Sequence, residues 1–100
     1  MDREIIVTVV NDEVIMPASP IFITTGDTVR YTCQQGAVEI VFELPFSNAR
    51  DVISDGESRE FARAGDFFCK CFVTLPGPPE RKIGWTPTKP NAGGVHDVRP

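Results

Sequence analysis

Cys69 and Cys71, two thiols set two positions apart in the stretch Gly65 to Cys71 (GDFFCKC), are the residues of this chain best suited by type and spacing to chemistry. Thiolates bind soft metals, exchange disulfides and attack electrophiles. A third cysteine, Cys33, and a single histidine, His96, complete the set of soft and imidazole donors. The alternation puts Phe67, Cys69 and Cys71 on one face of a strand and Phe68 and Lys70 on the other, which is the period of half-buried β structure. Both thiols therefore point inward. Cys33 falls at the inward phase near the end of its own strand, facing the same pole as Cys71.

Several pairings of these donors can be weighed. Positions i and i+2 of a strand lie roughly 6.6 Å apart at Cα with nearly parallel Cβ vectors, which disfavours a Cys69–Cys71 bridge. A Cys33–Cys71 bridge across the sheets stays open. Three cysteines with His96 match one permitted zinc ligand set, but a Cys-x-Cys pair on an extended strand splays its sulfurs and His96 sits in a Gly-rich stretch. Free cysteine behaves as a small buried hydrophobe, and that is the expectation for Cys69 and Cys71. No metal and no cofactor are expected, and Cys33, Cys69 and Cys71 are the candidate ligands for the opposite reading. One histidine gives no Ser-His-Asp or Cys-His arrangement. Asp51, Asp55, Glu57 and Glu60 read as solvated surface, no Gly-rich phosphate loop is present, and no catalytic residue is expected.

The elements that must hold these residues are strands. A chain of 100 residues is one domain that buries roughly 60 to 70% of its unfolded surface. With 41% hydrophobic and 24% charged residues it has the composition of a soluble globular domain. The longest apolar run, Ile5 to Val10, is far short of the about 20 residues of a membrane-spanning helix, so no membrane insertion is expected. A net charge of -4 with no block of Lys or Arg disfavours a nucleic-acid partner. The compartment stays open: cytoplasmic if Met1 is the native start, periplasmic or secreted if a signal peptide was removed.

Residues 4 to 10 are β-branched and apolar on both faces, which reads as a strand covered on both sides or an edge strand under a loop. Val14 to Met16 and Ile21 to Ile23 are short runs separated by Pro17 and Pro20. Thr28 to Cys33 alternates with Val29, Tyr31 and Cys33 inward, and Val38 to Glu43 does so with Val38, Ile40 and Phe42. Leu44 to Glu57 is a long connection with room for one helical turn. Ser58 to Ala62 is a short strand carrying Phe61. Phe72 to Glu80 reads as a stiff loop, because Pro76, Gly77, Pro78 and Pro79 exclude regular structure. Lys82 to Thr86 is the last expected strand, with Ile83 and Trp85 on one face. Residues 88–100 read as a flexible tail, leaving 1–87 as the folded domain. The expected architecture is all-β, an antiparallel two-sheet Greek-key sandwich of seven to eight strands, with Phe22, Tyr31, Phe42, Phe61, Phe67 and Trp85 mostly in its core.

In order and spacing, Pro20 to Ile23, Gly26 to Tyr31, Val38 to Phe42, Glu57 to Phe61 and Gly65 to Cys71 resemble the cupredoxins, the β-sandwich family of the blue copper proteins. The resemblance spans about residues 4 to 86 and implies a cupredoxin-like fold. It places Cys71 at the family's copper-cysteine position. It does not extend to the remaining ligands: the position of the first family histidine is occupied by Val38 or Glu39, and the loop Phe72 to Arg81 contains neither His nor Met. A blue copper site needs two imidazoles and a weak axial ligand beside the thiolate. The resemblance therefore implies the scaffold without a blue copper site. An immunoglobulin-like sandwich is a third reading, separable by strand order.

A scaffold retained without its ligands directs attention to surface. Phe72, Leu75 and Pro76 with Gln34 and Gln35 would lie at the pole where copper cupredoxins meet redox partners. The expected function is a non-catalytic interaction or accessory module binding an unidentified protein there. The alternative is a metal- or thiol-handling protein that uses Cys71 with Cys33 or Cys69, for example to hold Cu(I). Leu44 to Phe46 would add apolar area nearby.

Overall fold

A computed structural model of the chain describes residues 1–42 and 52–100. Leu44 to Phe46, Asp51 and most of the expected long connection lie outside the described residues. Among those described, ten strands form: β1 (Asp2–Val10), β2 (Glu13–Ile15), β3 (Ile21–Thr24), β4 (Thr28–Cys33), β5 (Ala37–Phe42), β6 (Val52–Ser54), β7 (Ser58–Glu60), β8 (Gly65–Leu75), β9 (Arg81–Gly84) and β10 (Gly93–Arg99). One sheet has the order β2-β1-β4-β7. The other has the order β3-β10-β8-β5-β6, with β9 also on β8. The two-sheet, all-β expectation holds.

The strand count and the antiparallel expectation are corrected. β1 runs parallel to β4, and β10 runs parallel to β3. Side chains alternate with period two in both kinds of pairing, so periodicity carries no information about direction. Val52–Ser54, expected within the long connection, is a strand paired to β5.

Alternation along each strand sends one set of side chains into a shared core. β8 contributes Phe67, Cys69, Cys71 and Val73, β5 contributes Val38, Ile40 and Phe42, and β4 contributes Val29 and Tyr31. Four residues are placed differently from expectation. Ile6 and Val10 of β1 are each 52% exposed, because the outer face of the four-stranded sheet has no covering layer among the described residues. Phe22 points out between the buried Ile21 and Ile23, with the Arg99 guanidinium 5.0 Å from its ring centre. Trp85 follows β9 and is half-buried, packed against the core from outside.

The largest correction is the expected tail. Gly93–Arg99 is a strand inside the six-stranded sheet, pairing β8 on one side and β3 on the other. Its inward positions are His96 and Val98, so the alternation is present, but a histidine in an inward slot disguises it. The expected loop also shortens. β8 continues through Leu75, leaving Pro76 to Glu80 as the turn into β9. β5 occupies one side of β8 over Cys69 to Thr74. β9 and β10 therefore share the other side, facing Phe72 to Leu75 and Gly65 to Lys70 respectively.

Candidate functional site

Cys69 and Cys71 lie on the inward face of β8 with no exposed surface, opposite Phe42 and Ile40 of β5. All three cysteines are free thiols. Burial pushes the Cys69 thiol up to about 12. Burial raises Cys71 further, and the neighbouring Cys69 and Cys33 sulfurs add to the rise. The thiolate is the nucleophile and the metal ligand, so both residues are held in their inert form. Cys33 differs. It is half-buried at the end of β4, and its thiol donates to Gln35 Oε1 at 3.2 Å.

Sequence reasoning assigns the histidine to a tail, whereas the structure places it in the centre of the core. His96 is 1% exposed. Its Nε2 lies 2.7 Å from the Tyr31 hydroxyl. The Phe61 ring stacks parallel to it at 5.9 Å, and the Phe42 ring meets it edge-on at 5.0 Å. Nδ1 is buried with no hydrogen-bond partner among the described residues. Burial, assisted by the charge on Arg3, lowers the imidazole to about 4. Burial, followed by Cys69 and Cys71, raises the Tyr31 phenol well above its usual value. The pair is thus neutral at neutral pH. With Tyr31 donating to Nε2, only the Nδ1 N–H is left as an orphan donor; the opposite tautomer strands the phenol O–H and a ring lone pair. The signal available in the sequence is the two-residue step from His96 to Val98, matching the inward step from Val29 to Tyr31.

At the pole, register brings four of the five expected partner-binding residues together: Gln34, Gln35, Leu75 and Pro76. Ala37 of β5 sits opposite Thr74 of β8, so the turn from Gln34 to Gly36 lies beside Leu75 and Pro76. Gly36 is required there, since a Cβ would stand 2.3 Å from the Thr74 carbonyl oxygen. Gly77 is required in the turn itself, where a Cβ would stand 2.0 Å from the Pro79 carbonyl carbon. Gln34, Gln35 and the whole of Pro76 to Glu80 are exposed, whereas Leu75 is partly buried against the core. Phe72 does not join this tip. It lies on the outward face of β8 under the Lys82 ammonium, 5.0 Å from its ring centre. Asp55 and Glu57, expected as solvated surface, hold turns: Val38 N–H donates to Asp55 and Ser54 N–H donates to Glu57, both at 3.1 Å.

That outward face carries a groove that sequence reasoning misses. It has a volume of about 640 Å³ and is lined by Phe72, Ile83, Gly84 and Trp85, by the cations Lys82 and Lys89, and by the Asp12 carboxylate. Gly84 makes the floor, because a Cβ would stand 2.7 Å from Phe72 Cα. Lys70 places its ammonium 4.4 Å from the Trp85 ring centre.

The donors present do not fit a blue copper centre. The chain has one histidine, which is bonded to Tyr31, and Cys71 is held as a buried thiol. Among the described residues no three His, Cys, Asp or Glu side chains are placed to share one ion. No helix among them is long and apolar enough to cross a membrane.

No protein-family model and no curated protein matches the chain. Solved structures do match. A reduced-state mutant of amicyanin, a cupredoxin, shares 13% identity with it at a TM-score of 0.49, over 96% of this chain and 82% of that one. A reduced Cu(I) form of a second amicyanin mutant at pH 4 shares 14%, and a third reduced amicyanin mutant 16%, with the same TM-score and coverage. At this identity and TM-score no site residue or function passes from them to this chain.

Proposed function

We propose that the chain is a non-catalytic, cupredoxin-like interaction domain that binds a partner protein through the pole formed by Gln34, Gln35, Leu75 and Pro76. The observation that carries this reading is the contrast at that pole. Residues 76–80 are all exposed, yet they are stiffened by three prolines and by a glycine that no other residue can replace without a clash. A loop ordered before binding loses less conformational entropy on association. Beneath it Cys69, Cys71 and His96 are sealed and neutral, which leaves Cys33 as the half-buried thiol beside the pole.

The test is site-specific photo-crosslinking in cells that express the protein. A photoreactive residue at Gln35 or Pro78 captures one partner that the same group at Glu60, on the edge of the other sheet, does not. The purified partner then binds the native chain and loses affinity for the Gln35→Arg variant. Equal capture from both faces, or unchanged affinity of the variant, contradicts the reading.

A further inference from the structure

The outward groove on β8 and β9 lies on the broad face of the six-stranded sheet, away from the tip of the pole, and has its own chemistry. Its floor is aromatic: Phe72 and Trp85, with Phe68 edge-on to Trp85 at 6.3 Å. Its surroundings are cationic in a chain whose net charge is -4. Lys82 and Lys89 line it, and Lys70 stands over the Trp85 ring. Among the described residues Glu39 pairs with Lys82 at 3.0 Å, and Asp12, itself part of the lining, is engaged by Arg81 at 3.2 Å. Lys70 and Lys89 have no acidic partner among the described residues. Beside the floor, β9 pairs only with β8, so its other backbone edge takes no strand among the described residues.

From these three features together we infer that the groove binds an extended acidic peptide segment of a partner protein, with carboxylates on Lys70 and Lys89 and an apolar side chain against Phe72 and Trp85. An unpaired strand edge offers main-chain hydrogen bonds to an extended segment, while the flanking pockets select its side chains. A surplus of cations selects acidic sequence and speeds encounter. The inference does not rest on the pole reading, since neither Gln35 nor Pro76 contributes to the groove.

Trp85 is the only tryptophan, so the groove reports on itself. The probe is a capped heptapeptide of alternating glutamate and phenylalanine, titrated into the whole chain at low ionic strength while Trp85 emission is followed, with calorimetry as a second readout. The expected result is saturable binding that weakens by about tenfold or more when every glutamate is replaced by glutamine, and by a similar factor in the Lys89→Glu variant. Lys89 is exposed and its replacement leaves the fold intact, which near-ultraviolet circular dichroism verifies. Affinity should also fall as salt is raised. Absence of a saturable signal at millimolar peptide, equal binding of the glutamine peptide, or unchanged binding by Lys89→Glu overturns the inference. So does equally tight binding of phenylacetate, which would make the groove a small-anion site. None of these outcomes bears on the crosslinking result at the pole.

Discussion

The two faces of β8 and the strands beside it hold opposite kinds of residue. The inward face takes Cys69, Cys71 and, from β10, His96, the side chains most capable of chemistry, and removes that capability by burial. The thiols are held protonated and the imidazole neutral. The outward face takes Lys70, Phe72, Lys82 and Trp85, none of which is reactive, and leaves them reachable beside an open groove. Reactivity therefore depends on placement more than on residue type.

The comparison is sharpened most strongly by acid. The folded pKa of His96, about 4, lies below its unfolded value of 6.5, so the unfolded chain takes up the proton first as pH falls. The contribution is fully present above pH 6.5 and is lost progressively between pH 6.5 and about 4. It amounts to about 3 kcal/mol at most, because each tenfold difference in proton affinity between the folded and unfolded chain is worth about 1.4 kcal/mol. Urea unfolding from neutral pH down to the folded pKa should show the decline, and His96→Phe should flatten it. A second prediction concerns the partner of that imidazole. Tyr31→Phe strands a buried ring nitrogen and should destabilise the chain by about 1–3 kcal/mol, read from the denaturation midpoint. Cys71→Ser places a hydroxyl where a thiol packs with no exposure and should cost a comparable amount, about 1–3 kcal/mol. The outward face should respond far less. Lys70→Ala removes a cation from the Trp85 ring and should cost only about 0.5–1 kcal/mol. A larger loss there would mean that the outward face is part of the structural core.

How much of this can be read from the sequence follows from what alternation reports. Val29 and Tyr31, Val38 to Phe42, and Phe67 to Cys71 are legible as inward sets because β-branched, aromatic and thiol side chains alternate with polar ones. The same pattern identifies Cys69 and Cys71 as core packing. It fails at Gly93–Arg99, where a glycine and a histidine, Gly94 opposite Cys69 and His96 opposite Phe67, stand at inward positions that in other strands carry larger apolar side chains. Nothing local distinguishes a histidine bonded to a distant tyrosine from a solvated one. The groove is illegible for a different reason. It exists because β9 and β10 share one side of β8 and the chain between them carries Trp85, Thr86 and Lys89 outward, and that arrangement is a property of pairing rather than of any single segment. At the pole, Gln34, Gln35 and Pro76 come together because turns at Gly36 and Gly77 are local features. Phe72 does not join them, because β8 continues past Cys71 to Leu75 before turning.

The claim that the inward face is closed to chemistry is tested most directly by timing the reaction of the three thiols with a small uncharged alkylating agent, first on the native chain and then in denaturant. The account predicts that only Cys33, half-buried at the end of β4, is modified in the native state, and that Cys69 and Cys71 react at the rate of global unfolding. Modification of Cys69 or Cys71 at the rate of Cys33, with the circular dichroism of the folded chain unchanged, would contradict it.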